Sequence, residues 1–360
     1  VEAKDNKKWI YRLEELTKEY NDIVGKKCAN LGELTQAGFR VPHGFALSLD
    51  AYEMFMNETG ALAEVEKYFG SFKADPENTA DLSKWQEASD VTRGIVESKQ
   101  MPSAMADTIL SYYGELCDKT GIQDCPVATR SAGAASHPGQ YESFLYVRGR
   151  DEVLRNIIKV WGSTLNQRSL VNRAKGNYSL GYAPIGVAVL QMINSKSAGV
   201  ILTLNPGNGD RSVITIEGSF GLGEAVVSGK VTPDRWMINK VLLEVMEKHI
   251  STDKHFQYTC DSEKKLITAE LPSELQKAPC LNDEEIGELA RIANKIEEHY
   301  GCPQDIEWAV DKEIPFPENL FIVQTRPETI WSKKQQKSVL DKKSPFDLLM
   351  QRATTPIKVK

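Results

Sequence analysis

Apolar positions recur along this chain with two different periods, and the changes of period divide it into segments. Residues 9–20 read as amphipathic, and a glycine-bearing loop at Val24–Cys28 leads into a short helix predicted from Ala29 to Ala37, closed by Gly38. Val41–Leu47 is extended. From about Ser48 to Gly121 the pattern is mainly helical, with breaks near Asp75-Pro76 and Met101-Pro102. Strand character returns at Cys125–Ser131, a loop of small residues runs from Ala132 to Gln140, and a helical stretch covers Asp151 to about Lys175. Residues 185–193 are a β-rich apolar run of the kind found in a buried central strand. Two more strands, Ala198–Leu204 and Ser212–Glu217, flank a turn at Asn205–Asp210. Asn282 is a good N-cap for a helix from Asp283 to Tyr300. Beyond it Asp305–Val310 alternates charged and apolar residues as a half-buried strand does, and Ile322-Val323 repeats the pattern after a turn around Pro315 and Pro317.

The last two strands carry the most informative chemistry. Together Gly301–Val310 and Val323–Pro327 bring an acid, an amide and a guanidinium to one surface. Carboxylate and carboxamide oxygens are hard ligands suited to Mg²⁺, which takes few protein ligands and completes its shell with phosphate oxygens. An arginine beside them is a planar fork for phosphate. Metal plus arginine around a polyphosphate is the equipment of phosphoryl transfer.

Three glycine-bearing segments add to this. In Val24–Glu33 a glycine turn before a helix start offers backbone N–H groups and a positive dipole end to an anion, with Lys26 and Lys27 beside it. The same lysines could be no more than a solvated face. In Ala128–Gln140, Arg130 at a strand end precedes a small-residue loop whose amides can approach an anion closely. His137 in that loop reads as a surface or positioning residue and not as a nucleophile. In Glu217–Gly229 the glycines lack the spacing of a Walker loop or a dinucleotide fingerprint, and Glu217 at a strand end suits a ribose hydroxyl.

Length and charge narrow the setting. At 360 residues the chain is too long for one simple core. A net charge of −6 and a pI near 5.6 give no overall basic field, so neither nucleic acid nor a membrane surface is expected as a partner. No apolar run is long enough to span a bilayer, and the charged opening residues lack a signal-peptide pattern. The six cysteines form no CxxC pair, which fits free thiols in a reducing cytoplasm.

The order of these motifs resembles the ATP-binding domain of the phosphoenolpyruvate synthase and pyruvate phosphate dikinase family, which includes rifampin phosphotransferase and phenylphosphate synthase. The matching pieces run from Val24 to about Trp331: the loop into Ala29-Asn30-Leu31-Gly32-Glu33, Arg130-Ser131, Ala198-Gly199-Val200 with Asn205-Pro206, Gly221–Glu224, Gln304–Trp308 and Gln324–Pro327. The resemblance implies an α/β (α+β) ATP-grasp fold in which two lobes clamp ATP, residues 1–184 and 185–332, followed by a linker or docking tail at 333–360. It implies that Lys27 and Arg130 contact the phosphates, that Glu307 and Gln324 hold Mg²⁺, and that Arg326 grips the transferred phosphate. Gln191, Met192 and Ile193 would read adenine and Glu217 the ribose. The chain departs from the family's Gly-Gly-Lys-Gly loop at Lys26 and Cys28, where the register favours Lys27 as the phosphate contact.

Family members transfer a diphosphoryl group to a histidine in a swivelling domain, and none of this chain's five histidines has that context. The expectation is therefore an ATP-dependent, AMP-forming phosphotransferase subunit that works with a partner carrying the histidine domain. The split phenylphosphate synthase suggests phenol as the final acceptor. The alternatives are an ATP-binding fragment of a phosphoenolpyruvate synthase, pyruvate phosphate dikinase or rifampin phosphotransferase, or a non-catalytic nucleotide sensor.

Overall fold

The computed structural model describes residues 8–133, 141–252, 254–260 and 266–331. The expectations for His137, most of the small-residue loop and the tail 333–360 fall outside them.

Two antiparallel sheets organise the chain. The first contains β1 (Ile10–Arg12), β2 (Gly44–Leu47), β3 (Val127–Ala132), β4 (Ser143–Val147) and β5 (Gly186–Gln191), in the order β1-β2-β5-β3-β4. Its strands are separated in sequence by helices α1 (Asn21–Val24), α2 (Lys26–Gln36), α3 (Leu49–Glu58), α4 (Ala61–Ser71), α5 (Leu82–Glu97), α6 (Ser103–Thr120), α7 (Arg150–Gly162) and α8 (Gln167–Lys175). The second sheet is built from β6 (Ser195–Leu202), β7 (Val213–Phe220), β8 (Asp234–Asn239) and β9 (Val245–His249) together with the last two strands. The short α9 (Glu224–Val227), the hairpin β10 (Phe256–Cys260) and β11 (Leu266–Glu270), and α10 (Asp283–Tyr300) intervene before β12 (Gln304–Asp311) and β13 (Leu320–Pro327). The order in this sheet is β13-β12-β6-β7-β8-β9.

The expected division at 184/185 is displaced. The buried run at 186–191 is indeed a central strand, but it pairs with β2 and β3 in the first sheet. The crossing between sheets comes after it, at residues 192–194. An apolar run announces a buried strand without saying which sheet buries it.

One apolar cluster spans both sheets and takes in helix α2 together with Val24 of α1, Ala46 of β2, Ala132 of β3 and Leu190 of β5. Cys28, Leu31 and Leu34 of α2 belong to the same apolar cluster as Trp308 of β12, Ile322 of β13 and Leu289 of α10. The helix starts at Lys26, three residues before the predicted Ala29, so both lysines lie in its first turn. Gly25 permits this entry: its φ is +82°, and a Cβ there would stand 2.0 Å from the Ala132 carbonyl oxygen of β3. The start of α2 is thereby held against the end of β3. Helix α10 matches its predicted limits, because Asn282 accepts from the Glu285 amide at 2.8 Å while Glu285 accepts from the Asn282 amide at 2.9 Å. Its buried stripe of Ile286, Leu289, Ala293 and Ile296 covers the face of the second sheet that carries Ile306 and Trp308.

Candidate functional site

The face of β12 opposite Ile306 and Trp308 carries Asp305 and Glu307, as strand alternation requires. The register sets Glu307 opposite Gln324 and Asp305 opposite Arg326, so two polar pairs lie next to each other on one face. Arg326 donates through Nε and Nη2 to Asp305 Oδ2 at 2.9 and 2.7 Å. Across the gap, Arg130 of β3 donates from Nη2 to Glu307 Oε2 at 3.0 Å and to Gln324 Oε1 at 3.3 Å. A buried bond from Asn30 Nδ2 to the Thr325 carbonyl, 3.1 Å, ties α2 to β13 beside them.

These groups border a cavity of about 510 Å³ between the two sheets, within the usual range for small-molecule sites. Lys26, Lys27, Arg130, Glu307, Gln324 and Arg326 all line it, as do Gln191, Met192 and Ile193 at the crossing between sheets. Eight of the nine residues assigned to the site from sequence therefore converge on one space. The ninth, Glu217, does not line it. Its carboxylate accepts from Arg235 Nε at 2.6 Å, and Val200 separates it from Glu307 in the cross-strand row, two strand spacings or about 10 Å away. Glu224, at the start of α9, is the carboxylate that lines the cavity there.

Lys27 stands in the first turn of α2, where backbone N–H groups and the helix dipole favour an anion. Burial, and next the Arg130 guanidinium, push its ammonium down to about 8, while Glu307 pulls the other way. The neighbouring Cys28 thiol is fully buried and pushed up to about 12, so it serves as packing and not as a nucleophile. Lys26 spends its amide on the Gly133 carbonyl at 3.0 Å, which fixes the entry to the loop after β3. At the crossing, the amides of Gln191 and Met192 donate to His43 O (2.7 Å) and Pro126 O (2.8 Å). These two amides are thus committed within the protein. Their carbonyls and side chains are what the crossing can turn towards a ligand.

The donor set also fits a divalent cation. Glu307 Oε2 and Gln324 Oε1 converge on a single cationic nitrogen of Arg130, so both oxygens already face one positively charged point. Among the described residues no group of three or more His, Cys, Asp or Glu could hold a metal unaided. One carboxylate and one amide leave room for phosphate oxygens and water, as Mg²⁺ prefers.

Sequence reasoning missed Asp305 as the orienting partner of Arg326, although its place two residues before Glu307 put it on the same face. It also missed Tyr141 and Ser143, which line the cavity from the far side of the small-residue loop. Nothing in their local pattern separates them from ordinary strand residues.

Comparison with known proteins gives one consistent picture. Residues 21–345 match the family model described as pyruvate phosphate dikinase, AMP/ATP-binding domain. A probable phosphoenolpyruvate synthase of Staphylothermus marinus is 36% identical over 370 residues, covering 94% of this chain and 43% of the relative. A phosphoenolpyruvate synthase of Aeropyrum pernix is 34% identical, covering 91% of this chain and 43% of its own length. A probable phosphoenolpyruvate synthase of Methanocaldococcus jannaschii is 32% identical, covering 96% and 29% respectively. The chain thus spans less than half the length of these relatives. Among the described residues, no helix is long and apolar enough to cross a membrane.

Proposed function

The chain belongs to the pyruvate phosphate dikinase AMP/ATP-binding family, and on that premise we propose that it is an ATP-grasp module that passes the β,γ-diphosphoryl group of Mg·ATP to a histidine on a partner subunit. The observation that carries this reading is the convergence of Lys27, Arg130, Glu307, Gln324 and Arg326 on one cavity between the sheets. The triphosphate lies among these side chains, with adenine towards Gln191–Ile193. In the transfer the bond from the α-phosphate's bridging oxygen to the β-phosphorus breaks, a bond from β-phosphorus to a histidine nitrogen forms, and AMP leaves with the bridging oxygen.

Arg326 is already oriented by Asp305, so it meets the growing negative charge without reorganising. Glu307 and Gln324 would hold Mg²⁺, and the Arg130 guanidinium that donates to both would then meet a phosphate. Bound there, Mg²⁺ would supply neutralisation of phosphate charge. Lys27 holds a phosphate from the helix side and is protonated in the complex.

The names of the relatives favour pyruvate as the final acceptor over the phenol suggested from sequence. Mixing the chain with Mg·ATP and a protein bearing the acceptor histidine tests the reading through the product formed. AMP appearing only when both proteins are present supports it; binding of ATP with no AMP under any combination leaves the sensor reading in its place.

A further inference from the structure

Arg93 on α5 lies outside the ring of residues that lines the cleft, yet it grips the segment on which that ring depends. Its Nη1 donates to Glu142 Oε1 at 2.6 Å and its Nη2 to Glu142 Oε2 at 3.1 Å, a two-point fork on the carboxylate. The fork is itself aimed by Glu97, one turn further along α5, whose Oε1 accepts from Arg93 Nε and Nη2 at 3.2 and 3.1 Å. On the other side the Glu142 amide donates to Ser163 Oγ at 3.2 Å, and that hydroxyl donates to the Val160 carbonyl at 2.7 Å. Glu142 is therefore fastened by side chain and backbone to two different helical elements.

Its neighbours behave oppositely. Tyr141 and Ser143, on either side of Glu142, both line the cleft. Glu142 immediately precedes β4, so anchoring it outward sets the start of the strand whose first side chain, Ser143, lines the cleft, with Tyr141 lining it from the bend before. Ser143 is the direct cross-strand partner of Arg130. The clamp thus fixes the strand beside the guanidinium that meets Glu307 and Gln324.

We infer that Arg93 is a positioning residue for the phosphate end of the nucleotide site, acting through Glu142 to hold Tyr141 and Ser143 in the cleft beside Arg130. This rests on the proposed ATP site, and it names no group that touches ATP directly. A weakened clamp would let the strand carrying Ser143 turn or shift, and a shift of the order of one ångström at a binding group is enough to be felt strongly.

Calorimetric titration of Mg·ATP and of adenosine into wild type, Arg93→Gln, Arg93→Lys and Glu142→Gln tests this, with melting temperatures measured alongside. Arg93→Gln and Glu142→Gln are each expected to weaken Mg·ATP by about tenfold with adenosine affinity held within twofold, and Arg93→Lys to recover part of the loss. Should Arg93→Gln not fold, Glu142→Gln keeps the test, since it removes charge from the same clamp with almost no change of shape. ATP affinity within twofold of wild type in a folded Glu142→Gln protein overturns the inference. So does an equal loss for ATP and adenosine accompanied by a lowered melting temperature, the signature of a merely structural ion pair. Wild type that binds neither ligand is a different outcome: it removes the ATP site itself, and the inference with it.

Discussion

Arg130 and Glu307 come from different sheets and stand 177 positions apart, yet their side chains meet at 3.0 Å across the cleft. The guanidinium thereby neutralises the carboxylate. The pair ties the two sheets together and keeps both charges compensated where each is largely shielded from water.

Removing the carboxylate should therefore do two things. Glu307→Ala leaves Arg130 without its ion pair and removes an oxygen ligand of Mg²⁺. Partner-dependent AMP formation should fall roughly 10³-fold. The fold should lose roughly 1–3 kcal/mol, because Arg130 is left without its carboxylate where it is largely shielded from water, with Gln324 Oε1 still accepting from it. Quenched-flow measurement of AMP, with thermal melting as the control, checks both. Gln324→Ala should show the same loss of turnover.

Lys27 gives a pH dependence whose sign follows from its depressed value near 8. Unfolded, the ammonium titrates at the ordinary 10.5, so between about 8 and 10.5 the unfolded chain binds more protons. The stability cost of burying Lys27 is therefore full below about 8 and is relieved as pH rises towards 10.5. Nucleotide binding runs the other way: a polyphosphate raises the Lys27 value, so binding takes up a proton above about pH 8 and affinity falls as pH rises. Calorimetry in buffers of different ionisation enthalpy should detect that proton, and Lys27→Met should abolish it.

The two adjacent lysines can be told apart. Burial and the fields of Arg130, Glu307 and Arg326 act on Lys27, whereas the backbone of Lys26 is tied by its amide to Gly133. Lys27→Ala should weaken Mg·ATP by at least about tenfold, the scale of one lost charge-assisted contact. Lys26→Ala should cost clearly less. The reverse ranking would mean that the first turn of α2 presents its other lysine to phosphate.

Glu217→Gln should leave nucleotide affinity unchanged, because its carboxylate serves Arg235 and lies outside the cavity. A loss of affinity for ATP and adenosine alike would restore its reading as the ribose contact.

Much of this site was legible in the sequence because β-strands convert spacing into facing. Asp305, Glu307, Gln324 and Arg326 needed only alternation and an antiparallel pairing to meet on one surface. The start of α2 was misjudged because Lys-Lys-Cys carries no capping side chain; the helix begins there through the left-handed Gly25 and its contact with Ala132. The lobe boundary was misplaced for a related reason. The sheet that takes β5 is chosen by tertiary pairing with β2 and β3, which no local pattern encodes. Glu217 shows the limit of reasoning from strand ends, since the register that moves it two strands from Glu307 is also a long-range fact.

On the proposed function, the cleft between the sheets grips the phosphates of ATP with Arg130 and Arg326. The most direct test of this claim is calorimetric titration of Mg·ATP and of AMP into wild type and into the Arg130→Ala, Arg326→Ala double variant. Wild type should bind one Mg·ATP per chain, and the double variant should bind it at least about 100-fold more weakly, from two lost charge-assisted contacts, with AMP affinity little changed. Equal affinity of the two proteins for Mg·ATP, or no binding by folded wild type, would contradict the claim.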